Sequence, residues 1–248
     1  PLKDWDIQIN YGIKTGFNDA FIISTEKRNE ILANCKNADE RQRTDELIRP
    51  ILRGRDIKRY IYDWADVWLI NTHNGIKGRL ERIHIEDYPA VKAHLDQFWD
   101  KIKDRADQGD TPYNLRNCAY LEDFCKPKII WKRIGSILRF SYDDKKVFGL
   151  DSTCIATGKH ISYLCCVLNS DMGHYLLKDS PKTGTGDLLV SVQAMEPILI
   201  PFDKNIELQL NAILKIYLDN NTRLIDEKIN RIVYSLYRLS ADECQYIT

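Results

Sequence analysis

The residues able to do chemistry are spread along the 248-residue chain, and few of them have the spacing of a catalytic site. Asp226, Glu227 and Lys228 form one charged triplet of the type that holds magnesium in nucleases. Apolar residues around the triplet repeat at helical spacing, so the same residues are also expected on the solvated face of a helix. A magnesium-dependent nuclease therefore stays open only as an alternative hypothesis.

Cysteine and histidine spacing argues against a metal site and against a disulfide framework. The chain has seven cysteines, including the adjacent pair Cys165 and Cys166, and five histidines. An odd cysteine number without regular spacing favours a reducing cytoplasm. The sequence contains neither a C-x-x-C nor an H-x-x-x-H pattern, so no zinc site is expected.

Cofactor loops and catalytic turns are also missing. Gly184, Thr185 and Gly186 precede residues 187–190, which have a strand-like pattern, whereas a nucleotide-binding glycine loop opens a helix. There is no Pro-Pro pair of the kind found in the catalytic turn of amino-methyltransferases. We therefore predict no catalytic residue, no metal and no cofactor in this chain.

Charge is unevenly distributed along the chain, although the net charge is zero. Residues 41–60 carry seven basic residues against three acids, and residues 126–146 carry seven against two. Residues 81–110 carry eight acids against five basic residues. A basic face can neutralise DNA phosphates in a neutral molecule, but such clusters are also common as ordinary solvated surface. Clustering alone thus suggests, without establishing, a nucleic-acid partner.

The elements that would position these charges follow from hydrophobic periodicity. Residues 7–23 predict two strands joined by a polar glycine loop, and Ser24 is a candidate cap for a helix over 25–35. A helix over 39–49 should end before Pro50. The first part of the chain is therefore expected to contain both strands and helices.

The second half continues this pattern. Helical spacing is found over 88–107 and 161–177, and strand-like segments lie at 128–131, 136–142 and 147–157. After residue 203 the chain becomes helical, and Ser240 to Glu243 has the spacing of a capping box. No apolar run approaches the length of a membrane span.

Six segments follow one another in an order that is specific as a set: YGIKTGFNDAFI (11–22), LIRPILRGRDI (47–57), YPA leading to HL (88–95), KPKIIW (126–131), VLNS (167–170) and PILIP (197–201). Together they resemble the carboxy-terminal specificity domain of TaqI-like and type IIG restriction-modification enzymes. The resemblance covers most of the chain, and residues 225–237 are similar to the helical ending of type IIG chains.

The resemblance implies a fold and a function. The fold would be an α+β, mixed-sheet target-recognition domain with peripheral helices over 1–203, followed by a helical segment over 204–248. The function would be sequence-specific recognition of double-stranded DNA in the cytoplasm. A methyltransferase domain in cis would methylate adenine N6 with S-adenosylmethionine, and a nuclease domain, where one exists, would use Mg²⁺. The chain starts without Met and is expected to be a piece of such a polypeptide; its oligomeric state is not predicted.

The candidate DNA-binding residues come from three regions that the resemblance and the charge clusters mark. The glycine loop offers donors, the segment after Pro50 offers phosphate contacts, and two polar loops offer base contacts. The residues are Lys14, Thr15, Asn18, Arg53, Arg55, Lys58, Arg59, Lys132, Arg133, Ser136, Lys182, Thr183 and Thr185. The glycine loop can equally be only a tight turn that holds the sheet.

A different class of function stays open beside DNA recognition. In this alternative, the chain is an interaction scaffold whose helical tail docks a protein partner, and its basic clusters are incidental. An exposed apolar stripe on the tail would favour the scaffold.

Overall fold

The structure, a computed structural model, describes residues 1–220 and 225–247. The strands are β1 (Ile7–Tyr11), β2 (Ile22–Ser24), β3 (Ile48–Leu52), β4 (Val67–Ile70), β5 (Lys128–Lys132), β6 (Ile134–Gly135), β7 (Phe140–Asp143), β8 (Phe148–Gly149), β9 (Thr153–Gly158) and β10 (Leu188–Leu189). The helices are α1 (Asn18–Phe21), α2 (Thr25–Ala33), α3 (Ala38–Leu47), α4 (Pro89–Asp96), α5 (Trp99–Ile102), α6 (Ile161–Asn169), α7 (Asp171–Leu177), α8 (Val192–Met195), α9 (Lys204–Asn220), α10 (Ile225–Tyr237) and α11 (Ala241–Ile247).

The strands form two four-stranded sheets and a small ribbon. The first sheet has the order β1-β9-β5-β7 and is antiparallel throughout. The second has the order β2-β4-β3-β8 and is mixed, because β3 and β8 run parallel. The ribbon pairs β10 with β6. An antiparallel sheet, a mixed sheet, peripheral helices and a helical carboxy-terminal segment confirm the predicted α+β class.

Both faces of the first sheet are buried. Alternate side chains of a strand point to opposite faces, so neighbouring residues of one strand pack in different cores. Ile129 and Trp131 of β5 pack in one apolar core with helices α6, α9 and α10. Ile130 of β5 and Ile155 of β9 pack in a second core with the second sheet. The sheet therefore lies between a helical layer and the second sheet, and only its ends and edges reach solvent.

The carboxy-terminal helices share the core of the helical layer. Leu210 and Leu214 of α9, and Ile229 and Val233 of α10, are buried in the same cluster as α6. The proposed boundary between residues 203 and 204 stays a prediction. Within the described residues, no helix is both long enough and apolar enough to cross a membrane.

Two helices begin with the side-chain caps that the sequence predicts. Ser24 caps α2 by accepting a hydrogen bond from the Lys27 amide at 3.2 Å, as predicted. At the start of α11 the Ser240 amide donates to Glu243 at 2.7 Å, and the Glu243 amide donates to the Ser240 hydroxyl at 3.3 Å. Both predicted caps are confirmed.

Other predicted elements are present, and the structure shows how the strands pair and where the helices are divided. The two strands expected in residues 7–23 exist, but β1 joins the first sheet and β2 joins the second. The single helix expected over 161–177 is two helices, because Ser170 ends α6 and caps α7 through the Gly173 amide at 3.1 Å. The helix expected over 88–107 is likewise divided into α4 and α5.

Candidate nucleic-acid interface

One end of the first sheet gathers residues that are distant in sequence. Strands β1 and β5 are both antiparallel to β9, so they run in the same direction and finish at the same end. Tyr11 and Trp131 both pair with Cys154 near the start of β9. The glycine loop with Lys14 follows Tyr11, and Lys132 and Arg133 follow Trp131. The glycine loop therefore lies beside the segment at the end of β5.

A cleft of about 350 Å³ opens between these segments. Three cationic side chains, Lys14, Arg116 and Arg133, line it together with Asn117 and Asp151. We call this site the basic cleft. Tyr11 and Tyr120 complete its wall, and the Arg133 guanidinium lies 5.8 Å from the centre of the Tyr11 ring. The cleft therefore offers cations, one amide and aromatic surface in one place.

Asp107 holds two of the cations at the cleft. Lys14 pairs with it at 2.8 Å and Arg116 at 3.1 Å, and their side chains stay 49% and 54% exposed. The hydrogen bond from Lys14 keeps the pKa of the Asp107 carboxyl below its usual range. Both cations are thereby positioned while half of each side chain still faces solvent.

The cysteine in the wall of the cleft is not an activated nucleophile. Burial raises the pKa of the Cys118 thiol to about 11, so this cysteine is protonated at neutral pH. Among the described residues, no group of three or more His, Cys, Asp or Glu side chains is arranged to hold a metal ion. The geometry of the cleft suits the binding of an anion.

Arg105 fixes the loop that carries Lys14. Its Nε donates to the Thr15 carbonyl at 2.9 Å, and its guanidinium also donates to the carbonyls of Pro112 and Asn114. The group lies 4.6 Å from the centre of the Phe21 ring and is 6% exposed. Burial lowers its pKa to about 10. A buried cation satisfied by carbonyl oxygens thus joins the glycine loop to residues 112–114.

Replacing this arginine should destabilise the protein. We expect Arg105→Ala to lower the free energy of unfolding by about 2–4 kcal/mol, because several buried carbonyls lose their donor together. Arg79 is a suitable control, since it is 57% exposed and pairs with Glu122 at the surface. Arg79→Ala should cost about 1 kcal/mol or less. Urea denaturation compares the two, and equal losses would contradict a structural role for Arg105.

Glycines in the loop are required by close packing and by backbone conformation. A Cβ on Gly12 would lie 1.9 Å from the Leu150 carbonyl oxygen, and Gly16 has a φ of +72°. Thr15, predicted as a donor to DNA, is 1% exposed and donates its hydroxyl to Asn18 at 2.6 Å. Asn18 is exposed at the start of α1. Of the loop residues, Lys14 faces the cleft and Thr15 supports the turn.

The segment after Pro50 reaches the same end of the sheet through Gly54. The Gly54 amide donates to the Ser152 hydroxyl at 3.0 Å, and a Cβ on Gly54 would lie 2.8 Å from Cγ of Lys132. Arg55 is exposed next to this contact. Arg53 instead donates to both carboxylate oxygens of Asp56 at 2.9 and 3.0 Å, which raises the arginine pKa.

Lys58 and Arg59 lie away from the basic cleft, near the β7 edge of the sheet. Lys58 pairs with Asp63 at 3.5 Å. Arg59 pairs with Asp226 of α10 at 3.2 Å and also donates to the Asn169 carbonyl. Asp226, one member of the charged triplet considered for a nuclease, thus joins α10 to the segment after β3, and it belongs to no metal-holding group among the described residues.

Ser136, Lys182, Thr183 and Thr185 belong to the ribbon of β6 and β10. Ser136 follows β6, and Lys182 forms a bridge with Leu188 of β10. Ser136, Lys182 and Thr185 are exposed, and Thr183 is partly exposed. The ribbon begins directly after Arg133, so its base lies beside the basic cleft.

The basic cluster over 126–146 is less basic at the surface than its sequence indicates. Lys128 and Asp143 form an ion pair in which both side chains are 0% exposed. Burial lowers the pKa of Lys128, opposed by the Asp143 carboxylate. Lys128 is therefore a core residue and cannot contribute to an electrostatic face.

Sequence reasoning missed Arg116, Asn117 and Tyr120. They lie in an irregular segment between α5 and β5, outside both basic clusters. Their proximity to Lys14 depends on the shared Asp107 carboxylate and on the Arg105 contacts. Neither the residue spacing nor the local charge of this segment indicates that it lies close to Lys14.

The chain is similar to known proteins in sequence and in fold. No curated protein matches the chain. The type IIL restriction-modification enzyme MmeI, solved in complex with DNA, is 15% identical with a TM-score of 0.68, over 100% of this chain and 36% of MmeI. The type IIG restriction endonuclease BpuSI is 14% identical with a TM-score of 0.46, over 96% of this chain and 31% of BpuSI. This chain thus spans about a third of each enzyme's length. Residues 49–198 match the TaqI-like C-terminal specificity domain, and the chain therefore belongs to that family.

Proposed function

We propose that this chain recognises a specific sequence of double-stranded DNA for a restriction-modification enzyme. The observation that carries the proposal is the basic cleft, where Lys14, Arg116 and Arg133 meet at one end of a buried sheet in a member of a specificity-domain family. Lys132 and the exposed Arg55 extend the cationic surface past the cleft. We call these five residues the basic face.

The basic face explains how a chain of zero net charge can bind a polyanion. Phosphate contacts act locally: each cation that neutralises a phosphate releases counterions and adds to affinity, whatever the charge on the far side. Arginine guanidinium groups also present paired donors, which fit phosphate oxygens or a guanine edge. The close spacing of the cationic side chains therefore matters more for DNA binding than the net charge of the chain.

The activities served by this recognition belong, in our proposal, to other domains of the same polypeptide. An upstream domain would methylate adenine N6 with S-adenosylmethionine, and a nuclease domain with Mg²⁺ would cut DNA where the enzyme has one. We place the enzyme in the cytoplasm, where cellular DNA and the methyl donor are both available. This chain would select the sequence on which those domains act.

Selection from a random duplex library tests the proposal. The chain joined to its native upstream sequence is expected to enrich one short motif, and the preference should persist as salt weakens non-specific binding. Binding of the selected duplex should exceed binding of a scrambled duplex by about a thousandfold or more. If no motif is enriched at any salt concentration, the proposal fails.

An interaction scaffold is the second candidate, favoured by apolar residues on α9. Leu208 and Leu218 are exposed, at 61% and 38%. Truncation at residue 203 cannot test this candidate, because it would also remove the buried Leu210 and Leu214. Leu208→Ser leaves the core intact. A scaffold role predicts that Leu208→Ser abolishes binding of a protein partner and leaves DNA selection unchanged.

A further inference from the structure

The ribbon beside the basic cleft is a separate structural unit with its own anchors. Strand β6 pairs antiparallel with β10, with Leu188 opposite Gly135 and Leu189 opposite Ile134. The Val190 amide donates to the Arg133 carbonyl at 2.9 Å, and the Trp131 indole donates to the Val190 carbonyl at 2.8 Å. The base of the ribbon is thus held by buried groups next to a cleft residue.

The tip of the ribbon stands clear of the protein. The Thr183 amide donates to the Asp187 carbonyl at 2.8 Å, and the Gly186 amide donates to the Thr183 carbonyl at 2.9 Å. A Cβ added at Gly184 or Gly186 would meet nothing within 4 Å, and Gly186 has a φ of +86°. The turn is therefore internally closed and projects into solvent.

The projecting residues are suited to contacts with base edges. The hydroxyls of Thr183 and Thr185 lie 2.8 Å apart, and each can donate or accept a hydrogen bond. On the other side of the ribbon, Ser136 is exposed and Ile137 is 62% exposed. An isoleucine in water gains from an apolar contact, and the thymine methyl group supplies one in the major groove.

We infer that the ribbon, residues 134–137 and 181–189, enters the major groove and reads base pairs, while the basic cleft binds phosphates beside it. This inference rests on the proposed function. The major groove is about 12 Å wide and admits a two-stranded ribbon. Lys14 and Arg116 are held by Asp107 at the cleft, which suits them to phosphate contacts that fix position. The ribbon then determines which DNA sequence is bound, and the basic cleft provides most of the affinity for DNA.

The test compares a ribbon variant with a matched control. The ribbon variant is Thr183→Val with Thr185→Val, and a second variant is Ile137→Ser. Ser235→Ala is the control, because Ser235 is exposed on α10 and donates its hydroxyl to the Ile232 carbonyl of its own helix. The four substitutions in these three variants all change exposed or partly exposed side chains, so circular dichroism should show the same fold. Each protein, joined to its native upstream sequence, is assayed on the selected duplex and on a scrambled duplex.

We expect each ribbon variant to lower the preference for the selected duplex by about tenfold or more. Affinity for the scrambled duplex and its salt dependence should change by less than about twofold. Ser235→Ala should leave both affinities unchanged. A ribbon variant that enriches the same motif with the same preference overturns the inference and leaves the proposed function standing. A native protein that enriches no motif removes the proposed function itself.

Discussion

Removing two cations from the basic cleft should weaken binding to every DNA duplex by about tenfold to a hundredfold at low salt. The variant is Arg116→Ala with Arg133→Ala, which changes two of the three cations lining the cleft. If each arginine contacts one phosphate, the slope of log affinity against log salt should fall in magnitude by about two. The preference for the selected duplex over a scrambled one should change little.

The matched control removes the same charge from the helical layer. Lys228 is exposed on α10, and Arg231 is 81% exposed on the same helix. Lys228→Ala with Arg231→Ala lowers the net charge by the same amount and should weaken DNA binding by less than about threefold. Fluorescence anisotropy at several salt concentrations distinguishes the two variants. Equal losses would mean that overall charge, and not the cleft, governs binding.

The sequence predicted part of the cleft because part of it lies beside regular elements. Lys14 follows strand β1 and Arg133 follows strand β5, and periodicity detected both strands. It did not show that the two strands finish at the same end, because that depends on their common partner β9. No pattern in the sequence marks Arg116 as a site residue. Its position depends on an ion pair with Asp107, which lies in the acidic region over 81–110.

Counting charges in the sequence does not show which cationic side chains are buried. Arg105 and Lys128 look like surface cations in the sequence, yet they are 6% and 0% exposed. In both cases the cation is satisfied by groups brought together in the fold, carbonyl oxygens for Arg105 and the Asp143 carboxylate for Lys128. Such pairing lets a charge be buried, and it has no signature in local spacing.

Strand periodicity also failed to assign strands to sheets. The alternation in residues 7–23 predicted two strands correctly, but a hairpin and a crossover between two sheets give the same pattern. The glycine loop of the crossover is held by Leu150 and Arg105, both far along the chain. Long-range contacts therefore decided the topology at the place that carries the candidate site.

Loss of Lys128 should have the largest effect on stability. Its ammonium donates to the Phe124 carbonyl at 2.6 Å and pairs with Asp143, with both side chains fully buried. Lys128→Ala would leave the Asp143 carboxylate buried without a countercharge, although Tyr62 and the amides of Lys145 and Val147 still donate to it. We expect the free energy of unfolding to fall by about 3–5 kcal/mol. Much of the stability of a typical domain would be lost.

A double variant separates the buried charge from the lost packing. Lys128→Met with Asp143→Asn removes both charges and retains most of the volume, so it should recover part of the stability lost in Lys128→Met alone. Lys126→Ala is the control, because Lys126 is 58% exposed and pairs with Asp123 at the surface. It should cost about 1 kcal/mol or less. Urea denaturation of the four variants measures these differences, and a Lys128→Met midpoint equal to that of Lys126→Ala would contradict the buried pair. Because Lys128 begins the strand that ends at Lys132, beside Arg133, its loss should also weaken specific DNA binding by destabilising the sheet that positions the basic cleft.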